Sequence, residues 1–262
     1  MCALAHMLED RGFSTVAIAS VRAQAEKTRP PRALWTTSQL GRPLGEPGDA
    51  PFQRRVLLAA LALLERTDGP VILEDFNEDP PGWRDAPDWR APPLVETSDP
   101  LETPDAWAAA FDAELSALLP LWRIAQARFS RTTVGLSFQA PTAWPKFATR
   151  FLAGELPAVP ELDTPALALR MLCDDIKALY GEAAQAEGPA PSAHQIDKWF
   201  WRQTVAGRLL VTLRAVAMAS ENNALKTVGG RFFVPTYWLP DQGLPGNNAT
   251  PPSPRIGGSS AR

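Results

Sequence analysis

The first third of the chain alternates between segments with apolar residues at helical spacing and short apolar, β-branched runs. Apolar side chains that recur every three or four positions predict amphipathic helices, whereas a short continuous apolar run is typical of a buried parallel strand. Gly12 is expected to end the first helix, and Pro51 to lie in the first turn of the third. The predicted helices cover 2–11, 21–27 and 51–65, and the predicted strands cover 14–20, 33–37 and 71–73.

A helix before each of three strands is the rhythm of a parallel sheet with right-handed crossover connections. We therefore predict an α/β unit at 1–75, with a small parallel sheet of Rossmann-like or flavodoxin-like type. Such units normally begin with a strand, whereas this sequence begins within a helix. Either a strand precedes the first residue or the sheet is smaller than usual, and we favour the first alternative.

The rest of the chain is predicted to be mostly α-helical. Residues 76–104 are rich in Pro, Asp and Trp, which indicates a long loop or insertion without regular structure. A helical region is predicted at 105–238, and a Gly-, Pro- and Ser-rich flexible tail at 239–262.

Four helices are predicted in the helical region. Pro120 is expected to kink the first helix, because proline removes a backbone donor. Ser192 or Ala193 is expected to be the N-cap of the last helix, which is predicted to be the longest. The predicted helices cover 105–129, 142–153, 165–187 and 194–220.

Composition narrows the class of protein. The net charge of −3 leaves no basic surplus for a nucleic acid or an anionic membrane surface, so neither partner is predicted. No apolar run reaches the roughly 18 residues that a membrane-spanning helix needs. The first residues lack the basic segment of a secretion signal, so we expect a cytoplasmic protein. With two histidines and two distant cysteines, no metal site and no cofactor are predicted.

Cys2 is the candidate nucleophile. A thiol at a helix N-terminus feels the positive end of the helix dipole, which favours the thiolate. The start of such a helix also lies at the edge of a parallel sheet where ligands usually bind. His6, four residues later, lies on the same helical side and could stabilise the thiolate. The alternative is that Cys2 belongs to a frayed terminus and that His6 fills surface or core space.

Two further groups are candidates for substrate binding and proton transfer. Arg42 lies between Gly41 and Gly45, and its planar guanidinium suits a carboxylate or phosphate. The loop matches no nucleotide-binding pattern, so a tight turn with a solvated or ion-paired arginine is the alternative. Glu74 and Asp75 follow the third predicted strand, where they could act in acid–base chemistry or cap a turn.

The run Trp199-Phe200-Trp201 and the second cysteine have structural explanations. Consecutive aromatic residues of a helix point in different directions, so we assign Trp199 and Phe200 to the core and Trp201 to an interdomain or subunit contact. Cys173 is expected to be a small core residue.

The stretch from Cys2 to about residue 79 resembles the selenoprotein B-like family, the B components of glycine, sarcosine, betaine and D-proline reductases. The C-terminal half is similar to selenium-free members at Leu169-Arg170-Met171-Leu172-Cys173-Asp174-Asp175 and Trp199-Phe200-Trp201-Arg202. The segments that carry the resemblance in the first third are Cys2-Ala3-Leu4-Ala5-His6 leading to Gly12, Thr15-Val16-Ala17-Ile18, Pro30-Pro31-Arg32-Ala33-Leu34-Trp35, Gly41-Arg42-Pro43-Leu44-Gly45 and Phe52-Gln53-Arg54-Arg55-Val56-Leu57.

The resemblance implies thiol chemistry at Cys2. In the family, a cysteine or selenocysteine at the start of this helix attacks an amino-acid derivative, releases an amine and passes the adduct to partner subunits. Family members normally have a strand, and often a second cysteine or selenocysteine, before this position.

The leading hypothesis is therefore a thiol-dependent, reductase-like protein acting on a small amino-acid-type substrate. Cys2 would be the thiolate, Arg42 would orient the substrate carboxylate, and Glu74 or Asp75 would assist proton transfer. A partner subunit or a homo-oligomer would fit this hypothesis. The alternatives are a non-catalytic scaffold that uses the aromatic-rich helical half for assembly, and a carboxylate-binding protein without turnover.

Overall fold

A computed structural model describes residues 2–38, 41–80, 85–95, 100–235 and 238–239. These residues belong to two compact units, an α/β unit up to residue 85 and a helical unit from residue 86 onward. The boundary falls within the segment predicted as a loop. Apart from Leu239, the predicted flexible tail lies outside the described residues.

The α/β unit contains a parallel sheet of three strands, as predicted. Its strands are hydrogen-bonded in the order β1-β2-β3. The elements in chain order are α1 (Cys2–Glu9), β1 (Ala17–Ala19), α2 (Arg22–Thr28), β2 (Arg32–Trp35), α3 (Ala50–Ala62) with a closing 3₁₀ turn (Leu63–Glu65), and β3 (Ile72–Asp75).

Gly12 ends the first helix as predicted. It has a positive φ of 84°, a conformation that glycine adopts without a steric penalty. The N–H of Phe13 donates to the Leu8 carbonyl at 3.1 Å, and the N–H of Gly12 donates to the Glu9 carbonyl at 2.9 Å. This pair of bonds is the Schellman motif, and it turns the chain from α1 toward β1.

The core of the α/β unit forms between α3 and the two strands β2 and β3. Residues at a spacing of four along α3 are buried, which is the periodicity of one helix face. The rings of Phe52 and Phe76 pack edge to face with centroids 5.8 Å apart. The buried members of this core are Leu34, Phe52, Val56, Ala60, Leu63, Ile72 and Phe76.

The helical unit packs its helices around one aromatic-rich core. Among its described residues there are helices and no strand. Its elements in chain order are α4 (Pro104–Phe129), a 3₁₀ turn (Pro141–Ala143), α5 (Trp144–Leu152), α6 (Pro165–Ala183), α7 (Ala193–Gln203), α8 (Val205–Ala219), α9 (Asn223–Val228) and a π-helical turn (Gly229–Phe233).

The prediction of one long helix at 194–220 is wrong, because the chain turns at Thr204. Thr204 has extended backbone angles, and it ends α7 and caps α8. Its hydroxyl donates to the Phe200 carbonyl at 2.7 Å and accepts from the Gly207 N–H at 2.9 Å. The longest helix is instead α4, which remains a single helix through Pro120. Ser192 is the N-cap of α7, in a capping box with Gln195.

A buried carboxylate holds the α7–α8 corner in place. Glu114 of α4 accepts hydrogen bonds from the N–H groups of Val205 and Ala206 at 2.8 and 3.0 Å and from the Tyr180 hydroxyl at 2.7 Å. Burial raises the pKa of Glu114, and these three hydrogen bonds oppose that rise. Glu114 thus provides acceptors for the otherwise unpaired donors at the start of α8.

Two further carboxylates, both on α6, fix the segment after α4. Asp175 is fully buried and accepts from the backbone of Gly135, Leu136 and Ser137 and from the Ser137 hydroxyl. Glu182 accepts from the Trp122 indole N–H, from both Thr132 and Thr133 hydroxyls and from the Thr133 backbone. Burial raises the pKa of Glu182, but these bonds outweigh it and leave the pKa below its usual value.

We expect Gly207→Ala to destabilise the protein by more than about 2 kcal/mol, since overpacking against backbone cannot be relieved by a rotamer change. A Cβ at position 207 would overlap the Phe200 carbonyl oxygen and lie 3.0 Å from its carbonyl carbon. The matched control is Gly181→Ala in α6, where a Cβ would meet no atom within 4 Å. Because alanine is the better helix former, the control should be stabilised by up to about 1 kcal/mol. Urea denaturation measures the unfolding free energy of both variants. Equal changes in Gly207→Ala and Gly181→Ala would show that the contact with Phe200 does not require glycine at position 207.

We expect Glu182→Gln to lower stability at neutral pH and to matter less in acid. A carboxylate whose folded pKa is lowered contributes stability above its unfolded pKa, 4.5, and loses it as the pH falls through the lower folded value. The difference in unfolding free energy between wild type and Glu182→Gln should therefore shrink below about pH 4.5. Urea denaturation at pH 7 and at successively lower pH tests this, and a constant difference would argue against the ionised hydrogen-bonded state.

Candidate functional site

The ends of the three parallel strands define the edge at which we place the candidate site. Ala19, Trp35 and Asp75 are the last residues of their strands and lie side by side in the sheet. Ligands of open α/β sheets bind outside the carboxyl ends of the strands. Residues that directly follow the three strands are therefore the first candidates for ligand contacts.

Arg22 crosses this edge, and it was not among the site residues predicted from the sequence. It is the first residue of α2, and its guanidinium lies 5.7 Å from the centre of the Trp35 ring. It also pairs with Asp75, with Nη2 3.1 Å from Oδ1, and with Glu26. Arg22 thus spans from the end of β1 past β2 to β3. A basic residue in the first turn of the helix that follows the first predicted strand was the signal that could have revealed it.

Glu74 and Asp75 are the last two residues of β3, not residues that follow the strand as predicted. Successive side chains of a strand point to opposite faces of the sheet. Accordingly, Asp75 pairs with Arg22, whereas Glu74 pairs with Arg66 at 2.8 Å. The two carboxylates are therefore held by different arginines and do not form a joint acid–base pair.

Arg66 is shared between Glu74 and Asp68. Hydrogen bonds from Arg66 lower the pKa of Asp68 to about 2, and those to both carboxylates raise the pKa of Arg66. All three side chains are substantially exposed, so this cluster is a solvated ion-pair network.

Arg42 is ion-paired within its own loop. Its Nη1 lies 2.9 Å from Glu46 Oε2, and Gly41 and Gly45 have φ of 91° and 77°. A Cβ at Gly45 would overlap the Phe52 ring, so glycine is required there for close packing. The loop is therefore the tight turn with an ion-paired arginine that was the alternative to an anion site. A carboxylate ligand would have to compete with Glu46 for the guanidinium.

Cys2 is the first residue of α1 and is partly buried. The C-terminal half of α1 is fixed where the strands begin, because the Glu9 carboxylate accepts from Thr15 and from Arg32 Nη1 at 2.7 Å. Cys2 is at the opposite end of the helix from Glu9. No hydrogen bond or ion pair joins its thiol to another described residue.

His6 is held by α2. Its Nε2 lies 3.1 Å from the Thr28 carbonyl oxygen at the end of that helix, at hydrogen-bonding distance. This contact strengthens the attachment of α1 to α2. The imidazole therefore has a structural partner other than the Cys2 thiol.

Buried hydroxyls follow the central strand β2 directly. Ser38 is 4 % exposed, and neither its Oγ nor the buried Oγ1 of Thr37 has a hydrogen-bond partner among the residues that the structure describes. The neighbouring Thr36 hydroxyl lies 3.4 Å from the Pro43 carbonyl oxygen. Buried polar groups are nearly always hydrogen-bonded, so Thr37 and Ser38 are candidate ligand contacts. Their position at the edge where ligands bind strengthens this interpretation.

Cys173 is fully buried in α6, as expected for a core residue. Burial raises the pKa of its thiol well above the usual range, which keeps it protonated and unreactive. Trp199, Phe200 and Trp201 are all buried in the core of the helical unit. The assignment of Trp201 to an interdomain or subunit contact is therefore wrong.

No protein-family model, curated protein or solved structure matches the chain. The described residues contain no cluster of three or more His, Cys, Asp or Glu side chains that could hold a metal ion. Within the same residues, every helix is too short or too polar to cross a membrane.

We expect iodoacetamide to alkylate Cys2 and to leave Cys173 unmodified in the folded protein, because only Cys2 is accessible. Intact-mass measurement should show one modification in the wild type, none in Cys2→Ser and two in urea-unfolded wild type. Equal rates for both thiols in native buffer would contradict the burial of Cys173.

Proposed function

We propose that the α/β unit carries out thiol-dependent chemistry on a small amino-acid-type molecule, with Cys2 as the nucleophile. The proposal follows the resemblance of the first third of the chain to the reductase B components. It includes a Rossmann-like sheet, since three parallel strands in consecutive order match one half of that fold.

The attachment of α1 is the observation that carries the proposal. Glu9 fastens the end of α1 beside the start of β2, and we infer from this that the helix start, with Cys2, lies toward the other edge of the sheet. A helix N-terminus favours a thiolate over a thiol. Cys2 is also the one cysteine of the described residues that is not fully buried.

The binding part of the proposal rests on donors at the sheet edge. Hydroxyls of Thr37 and Ser38 can donate to a carboxylate, and Arg22, at the end of the neighbouring strand, can do so by exchanging Asp75 or Glu26 for the substrate. Arg42 can contribute only by exchanging Glu46 for the substrate. Asp75 is paired with Arg22, and Glu74 is paired with Arg66. We therefore assign these carboxylates a role in positioning the arginines, in preference to a role in proton transfer.

The proposed step is a substitution at carbon. The Cys2 thiolate donates an electron pair to the carbon that bears the amine, forming an S–C bond. The C–N bond breaks, and the nitrogen, which is positively charged as an ammonium group, takes the bonding electron pair and becomes a neutral amine. In the family that the first third resembles, the covalent adduct is then passed to partner subunits.

The scaffold alternative rested on the aromatic-rich helical half, on the Pro- and Trp-rich loop and on the small number of catalytic side chains, and it assigned assembly to the aromatic residues. Trp199, Phe200 and Trp201 are 1, 4 and 8 % exposed and pack within their own unit. They therefore offer no aromatic surface for assembly, and we do not prefer this alternative.

We expect incubation with glycine, sarcosine, betaine or D-proline to leave a covalent adduct on Cys2 for at least one of the four. Intact-mass measurement should find it in the wild type and in Cys173→Ala but not in Cys2→Ser. A ligand that raises the melting temperature of wild type and Cys2→Ser equally, without an adduct, would instead favour a carboxylate binder without turnover. Ser38→Ala should weaken either response, and no response to any of the four compounds would count against the proposed substrate class.

A further inference from the structure

Helix α3 packs one face into the core of the α/β unit, and its opposite, exposed face is also apolar. Phe52, Val56 and Ala60 are buried. On the other side Leu57, Leu58 and Leu61 are 43, 55 and 53 % exposed. Single exposed leucines are ordinary, but three neighbours on one helix face form a contiguous apolar patch. We call these three residues the leucine patch.

Opposite charges flank the leucine patch. Arg54 precedes it by one turn and Glu65 follows it in the turn that closes α3. Both are exposed, and neither has an ion pair or hydrogen bond with another described residue. Arg54, Leu58, Leu61 and Glu65 are spaced by four, three and four positions, so they lie along one side of the helix.

The row of arginine, two leucines and glutamate is complementary to the same row of a second α3 that runs in the opposite direction. If a second α3 lies antiparallel, with the twofold axis midway between Leu58 and Leu61, then Leu58 faces Leu61 of the second copy. The same axis places Arg54 opposite Glu65 of the second copy, and the reverse pairing follows by symmetry. A twofold interface requires this property, because the same patch must serve both subunits.

We propose that two copies of the chain associate through α3, with the two helices antiparallel and their leucine patches in contact. The leucines lose water on association, and the two Arg54–Glu65 pairs set the direction and register of the helices. One helix face is small beside the roughly 800 Å² per partner of a stable interface, so the dimer is weak and reversible. The interface does not depend on the proposed function of Cys2.

Sedimentation velocity of the full chain from about 5 µM to about 500 µM tests the proposal, since small interfaces give dissociation constants in or above this range. The wild type should shift from monomer toward dimer as concentration rises. Leu58→Glu should raise the dissociation constant by more than about tenfold, because it buries an unpaired carboxylate against Leu61 of the second copy. The matched control is Phe13→Glu, which adds the same charge at a position that is 62 % exposed and outside the patch. It should dimerise as the wild type does.

Charge reversal tests the antiparallel register. Arg54→Glu and Glu65→Arg should each weaken the dimer, because each places like charges across the interface. The double variant Arg54→Glu/Glu65→Arg should recover most of the wild-type affinity. If circular dichroism shows that Leu58→Glu is unfolded, the three charge variants test the proposal without it. A wild type that stays monomeric throughout, as when another part of the chain covers the patch, overturns the proposal. So does a double variant weaker than both single ones.

Discussion

Buried carboxylates that accept backbone hydrogen bonds are the constraint on which the helical unit depends. An unpaired backbone donor in a protein interior costs free energy comparable to a lost hydrogen bond. Glu114 avoids this cost by accepting hydrogen bonds from the backbone N–H groups at the start of α8. Asp175 does the same for the backbone N–H groups of the segment that follows α4. The direction of α8 relative to α4 and α6 follows from the Glu114 contact, because its carboxylate is also bonded to Tyr180 of α6. These carboxyl groups can be buried because their oxygen atoms accept hydrogen bonds from the backbone.

The α/β unit relies on exposed ion pairs more than on buried ones. Its arginines bridge elements at both edges of the sheet: Arg32 joins β2 to α1, and Arg22 joins α2 to β3. The Arg22–Asp75 pair, whose side chains are 39 and 38 % exposed, contributes little to stability in water, so its main effect is to orient side chains. An edge held by solvated pairs can exchange a protein carboxylate for a ligand carboxylate at small cost, which suits a binding edge. The buried hydroxyls after β2 would then provide the fixed contacts.

Local sequence rules predicted the elements whose determinants are local. Gly12 ends α1 because only glycine adopts a positive φ without penalty, and Ser192 caps α7 because its neighbour three residues later, Gln195, completes the box. The corner at Thr204 escaped prediction, since apolar periodicity continues across it. The stabilising partner, Glu114, lies about ninety residues earlier in the chain. Arg42 and Glu46 are four residues apart, so their pairing could have been predicted from the sequence. Only the tertiary structure shows that the ion pair forms.

Sequence by itself determined the alternation of helices and strands, the parallel sheet and the identity of the candidate thiol. These follow from side-chain volume, apolar spacing and glycine or proline at turns, all of which act over a few residues. Tertiary structure decided which charged groups meet, which cysteine is shielded and which leucines remain in water. Those outcomes depend on distances between residues far apart in the chain, and no local pattern encodes them. Arg22 is the clearest case, because its contact with Asp75 exists only once β1, β2 and β3 lie side by side.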